Sequence, residues 1–208
     1  MHFLEYYYKN VIKYDLINKF FYKNINELPE IKKVILNFRS KNTKIKNFAA
    51  ALLALELITT KKGILTKTKK PNLFLKIQKG KPIGCKIILK KRLMYNFLNK
   101  TLLDITPNME NFLIFKTKDK NNTSFSFNLD NKKLKFSELK EHYHLSKTLS
   151  YLNITIITSS RTKTELFFLL RSFNFPLKNT ANITQLVECN LAKVKVEGSN
   201  PFVCFLFY

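Results

Sequence analysis

The chain has 208 residues, a length for one domain or one domain with an appendage. With 45% hydrophobic residues it can close a core without disulfide staples, which excludes disorder of the whole chain. Its 37 Lys and Arg against 14 Asp and Glu leave a net charge of +23, and so lopsided a balance points to a polyanionic partner, nucleic acid or an anionic membrane.

Residues 9–22 place Val11, Ile12, Leu16, Ile17, Phe20 and Phe21 at helical spacing, which predicts a helix ended by Leu28-Pro29-Glu30. Residues 31–38 read as a buried strand, because Val34, Ile35 and Leu36 form a continuous apolar run. Residues 46–59, rich in Ala and Leu and nearly uncharged, predict a helix wedged between other elements. From Lys61 to Lys81 lysines surround two short apolar runs, Ile64-Leu65 and Leu73–Leu75; the simplest reading is two short strands joined by an extended basic loop. A strand over 86–90 and a helix over 93–103 follow Pro82-Ile83-Gly84-Cys85. Residues 111–123 read as a loop, and 124–129 and 153–159 as strands. Thr162 opens a last helix over 165–173 through a Thr-Lys-Thr-Glu capping box. Strands and helices mix without a βαβ period. The prediction is an α+β fold: a mostly antiparallel sheet covered by helices on one face, with an extended basic hairpin loop.

Catalytic constellations are missing from this pattern. Four glycines spread over the chain make no phosphate loop, and neither a nucleophile elbow nor a zinc-protease motif occurs. The chain is therefore expected not to be an enzyme and to need no cofactor. His2, His142 and His144 have no nearby cysteine to complete a metal set. Cys85, Cys189 and Cys204 form no Cys-x-x-Cys pair, as suits a reducing compartment. No apolar run approaches the roughly 18 residues of a spanning helix, and no membrane partner is expected.

Only Arg39, Arg92, Arg161 and Arg171 are arginines, while Phe reaches 19 and Tyr 9. Lys, Asn, Ile, Phe and Tyr have AT-rich codons, so the composition points to an AT-rich genome, that of an organelle, a parasite or an endosymbiont. The start of the chain, Met1-His2-Phe3-Leu4-Glu5-Tyr6, has neither the basic, apolar form of a signal peptide nor that of a transit peptide. It is expected to work where it is made.

A series of blocks carries a resemblance. Tyr6-Tyr7-Tyr8 precedes a helix, followed by Tyr22-Lys23-Asn24 and the run from Leu28-Pro29-Glu30 to Asn37. Glu56-Leu57-Ile58-Thr59 and Ile64-Leu65-Thr66-Lys67 come next, then Gly80-Lys81-Pro82-Ile83-Gly84-Cys85-Lys86 and Arg92-Leu93-Met94-Tyr95-Asn96-Phe97. Leu134–Leu139, Asn153-Ile154-Thr155-Ile156 and Leu169–Pro176 complete the order. In this order the blocks resemble the large-subunit ribosomal protein L-five family. The resemblance covers about residues 3–178, which sets a family-like domain over 1–178 and an extension over 179–208.

The resemblance implies binding to 5S ribosomal RNA in the central protuberance of the large subunit, among large-subunit RNA and neighbouring proteins. It also implies a lysine-rich loop at the elbow of P-site transfer RNA and a bridge to a protein of the small-subunit head. On this basis Asn37, Lys61, Lys86 and Lys90 are expected on the RNA face. Lys69, Lys70, Lys76, Lys79 and Lys81 are expected in the transfer RNA loop. The expected location is the mitochondrial matrix, with a plastid or an AT-rich bacterial cytoplasm as alternatives. The chain departs from the family at Thr60-Lys61-Lys62-Gly63, at Ile88 and Lys90, and in the shortened loop over 111–123. Other functions open to so basic a chain are a free-standing RNA-binding factor and a peripheral membrane protein.

Residues 179–208 hold four of the six valines. There Gly198-Ser199-Asn200-Pro201 can be encoded by GGTTCGAATCC, a transfer RNA T-arm sequence. The extension is therefore expected to be encoded by DNA overlapping a transfer RNA gene.

Overall fold

Leu4, Tyr8, Ile12 and Leu16 recur every fourth residue, and all four are buried. In a straight α-helix such a column drifts around the axis, because four residues exceed one turn of 3.6. Here helices α1 (Phe3–Tyr7) and α2 (Lys13–Lys19) are joined by a wider π-helical turn, Tyr8–Ile12, which takes up the drift and keeps the column on the core. The Tyr8 hydroxyl donates to the Pro29 carbonyl over 3.1 Å. The helix predicted over 9–22 thus starts earlier and stops earlier: Phe20 is extended, and Val11, Ile17 and Phe21 face solvent.

The computed structural model describes residues 3–39, 45–71, 78–105, 107, 113–114, 123–130, 136–142 and 149–178. The chain divides into two units, Met1–Leu177 and Lys178–Tyr208. Of the second, only Lys178 lies among the described residues.

Five strands form one sheet in the order β2-β3-β1-β6-β5: β1 (Ile31–Arg39), β2 (Ile64–Lys67), β3 (Pro82–Leu89), β5 (Ser124–Leu129) and β6 (Leu152–Thr158). All its ladders are antiparallel, as the α+β reading expects. Two-residue strands β4 (Leu113–Ile114) and β7 (Leu177–Lys178) lie outside it, the first within the predicted loop over 111–123. Alternation along each strand sends Val34, Leu36 and Phe38, Cys85, Ile87 and Leu89, and Leu152, Ile154 and Ile156 to one buried face. Each such side chain contributes about 1.5–3 kcal/mol on burial, so this layer holds the sheet. The run over 34–36 predicted as buried is therefore two-sided: Ile35 points to the opposite face and is half-buried, as is Ile88 in β3.

Helices α3 (Ile45–Thr59) and α4 (Lys91–Lys100) cover the buried face, packing on β2 and β3 and on β1 respectively. As its composition predicts, α3 is wedged, with Phe48, Ala51, Ala54, Leu55 and Ile58 all buried. Helix α4 begins two residues before its predicted start and continues through a π turn, Thr101–Ile105. The short helix α5 (Ser137–Lys140) had no sequence signal; the Lys100 ammonium ties it down through an ion pair with Glu138 and a 3.3 Å bond to the Ile58 carbonyl. Helix α6 (Lys163–Ser172) opens with the predicted capping box. The Thr162 hydroxyl accepts from the Glu165 amide over 3.2 Å, and the Glu165 carboxylate accepts from the Arg161 and Thr162 amides.

Candidate nucleic-acid interface

The sheet face opposite the core is built by the alternate residues of each strand, and its ladders set a row across all five. Ile64 of β2 pairs with Lys86 of β3, Lys86 with Asn37 of β1, Asn37 with Asn153 of β6, and Asn153 with Asn128 of β5. Directly opposite residues in antiparallel strands share a face, with side chains about 5 Å apart. A lysine and three amides, drawn from four separate stretches of sequence, therefore stand side by side. Asn153 Nδ2 donates to Asn128 Oδ1 over 2.7 Å, and the Thr155 hydroxyl donates to Asn153 Oδ1 over 3.0 Å, which fixes the β5–β6 end of the row. Flat strands presenting amides and a cation can donate to and accept from ribose and phosphate while leaving the bases unread.

At the other end of the row the surface sinks into an open depression of about 560 Å³, reached by Lys61, Lys62, Lys86 and Lys90. Lys61 is held there, its ammonium donating to the Ile88 carbonyl over 2.8 Å. Lys90 caps α4 without a side-chain bond, and that helix opens on Lys91 and Arg92 with no acidic residue in its first turn. The four residues expected on the RNA face are thus brought together, Asn37 and Lys86 as a ladder pair and Lys61, Lys86 and Lys90 around one depression. Asn128, Asn153 and Thr155 were not anticipated; the period-two alternation of Asn-Ile-Thr-Ile over 153–156 was the available signal.

Of the expected transfer RNA loop, Lys69, Lys70, Lys79 and Lys81 are exposed, whereas Lys76 and the Leu73–Leu75 run lie outside the described residues. The neck where the chain leaves β2 and returns to β3 is clamped at Thr68. Its amide donates to the Lys81 carbonyl over 3.0 Å, its hydroxyl to the Gln78 carbonyl over 2.7 Å, and its own carbonyl accepts from Gly80 over 3.1 Å. Gly80 sits at φ +86°, a conformation that glycine adopts without steric cost.

Below the open face, Cys85 is fully buried, and burial pushes its thiol up to about 11, far from the thiolate a nucleophile or metal ligand requires. Among the described residues no group of acidic, histidine and cysteine side chains could hold a metal ion. No helix among them is long and apolar enough to cross a membrane.

Comparison with known proteins adds two findings. The C-terminal part of the ribosomal L-five family matches residues 82–177. The large ribosomal subunit protein uL5m of Reclinomonas americana is 35% identical over 179 residues, covering 85% of this chain and 98% of that protein. The large ribosomal subunit proteins uL5 of Blochmanniella floridana (31% identical, 88% of this chain and 96% of that one) and of Nitrosomonas europaea (32% identical, 83% and 97%) align over a similar extent.

Proposed function

The chain belongs to the ribosomal L-five family, and from that premise we propose that it binds 5S ribosomal RNA through the open sheet face. It is a structural constituent of the large ribosomal subunit and not an enzyme. The observation that carries the proposal is the row Lys86–Asn37–Asn153–Asn128 running into a lysine-rimmed depression on a face that the core does not use. A net charge of +23 draws the chain to RNA, and the row orients it there.

The lysines around the Thr68 neck serve a second contact in this reading, with P-site transfer RNA. Neighbouring large-subunit RNA and proteins, and a protein of the small-subunit head, complete the partners. The mitochondrial matrix is the proposed location, supported by an amino-acid composition weighted to residues with AT-rich codons and by the similarity to uL5m of Reclinomonas americana. Residues 179–208 form an extension that the RNA contact does not need, encoded over a transfer RNA gene.

Binding to 5S ribosomal RNA across a salt series tests the central claim. Each phosphate deprived of its lysine flattens the slope of log affinity on log salt by about one, so Lys86→Ala with Lys90→Ala should flatten it by about two. An unchanged slope would remove both residues from the interface. Truncation after Lys178 should leave this binding intact, and cross-links from Lys79 or Lys81 should reach transfer RNA in translating ribosomes. Cross-links confined to ribosomal RNA would reject the loop assignment.

A further inference from the structure

The depression at the β2–β3 end of the open face combines two chemistries. Its floor is aliphatic: Ile64 is 71% exposed, and Ile88 stands on the same face, two residues beyond the Lys86 that pairs with Ile64. Its rim is cationic, with Lys61 and Lys62 from the loop after α3, Lys86 from β3, and Lys90 at the start of α4. At about 560 Å³ it falls within the roughly 300–1,000 Å³ span of small-ligand sites.

Neither half of this lining suits a uniform partner. A regular RNA duplex offers a protein its phosphates and ribose hydroxyls. Laid across Ile64 and Ile88 it would press strongly hydrated groups onto apolar surface. An apolar protein segment would have to strip water from the Lys62, Lys86 and Lys90 ammonium groups and offer them no acceptor in return. A nucleotide whose base has left the stack satisfies both halves. Its flat, weakly hydrated face covers the isoleucines while the phosphates on either side meet the lysines.

Resting on the RNA-binding reading above, we infer that this depression seats one unstacked nucleotide of the bound RNA, with its base on Ile64 and Ile88 and its flanking phosphates on Lys62, Lys86 and Lys90. An aliphatic floor reads the area of a base and not its edge. Purines are therefore held better than pyrimidines, with adenine and guanine nearly alike.

The experiment compares two RNA probes: an uninterrupted duplex, and the same duplex carrying one bulged 2-aminopurine nucleotide. The full chain should bind the bulged probe about fivefold more tightly, which is what covering roughly 40 Å² of apolar surface supplies, with a change in 2-aminopurine fluorescence. Because Ile64 is largely exposed, Ile64→Ser should keep the melting temperature and abolish the preference between the two probes. Ile64→Phe should restore or enlarge the preference. Equal binding of the two probes by the unmodified chain, or a preference that survives Ile64→Ser, overturns the nucleotide seat and leaves RNA binding standing. Failure to bind either probe at low salt overturns the RNA-binding reading, and the seat with it.

Discussion

A methyl group placed on Gly84 would stand 2.4 Å from the carbonyl oxygen of Phe38, so β3 and β1 approach more closely at this point than any other residue permits. The approach lies beside the Phe38–Cys85 pair of the ladder that also aligns Asn37 with Lys86. Gly84→Ala must part the strands or bend them, and overpacking of this kind costs about 1–3 kcal/mol. Denaturant unfolding should show the lowered midpoint. A midpoint equal to that of the unmodified chain would mean that the strands are not held this close.

Asn37→Ala removes an amide from the row and no charge. Loss of one hydrogen bond to RNA should weaken 5S binding by about 1 kcal/mol at every salt concentration. The salt slope should stay as it is, in contrast to the lysine variants. A flattened slope would mean that Asn37 acts by positioning its ladder partner Lys86.

Glu138 is coupled to acid stability. Burial works to raise its carboxyl, but the Lys100 hydrogen bond and charge, with its own backbone and Ser137, outweigh burial and hold it below the usual range. A carboxyl lowered by folding stabilises the fold fully above its unfolded value, about 4.3. That contribution fades as pH falls through the folded value. Glu138→Gln should cost about 0.5–1 kcal/mol at neutral pH, since the pair is only partly shielded. Urea titrations at pH 7 and at pH 3 should show the gap between the two proteins closing in acid. A gap of constant size would sever Glu138 from the effect.

Thr162→Ala opens the capping box of α6. The Glu165 amide loses its acceptor, and the expected cost is about 1 kcal/mol. Thr162→Ser should recover most of it, because the hydroxyl is the part that bonds. Thermal melts of the pair distinguish a cap from mere helix propensity: if serine is no better than alanine, the cap carries no weight.

The elements that sequence reveals well here are those whose cause is local. Thr162 and Glu165 sit three apart and cap a helix wherever it docks, and α3 is apolar enough to announce its burial. The α2 boundary was harder, since Phe20 and Phe21 continue an apolar pattern while the chain has already turned extended. On the sheet, isoleucines at Ile35 and Ile88 hid the period-two alternation, because the open face carries apolar residues where an ordinary solvated face carries polar ones. Lysines could be picked out by charge. Their grouping with Asn153 and Asn128 could not, since ladder register joins residues more than a hundred positions apart and depends on packing that no local window contains.

Strand β1 is the middle of the sheet, flanked on one side by β3 and on the other by β6. During synthesis Ile31–Arg39 emerges long before Leu152–Thr158. At roughly 5–20 residues per second the interval is on the order of ten seconds. Throughout it one edge of β1 has no neighbour, and Asn37 has no Asn153 beside it. On the proposed RNA face Lys86 of β3 is therefore in place before the row is: the row closes only once Asn153 of β6 has been made and paired with Asn37.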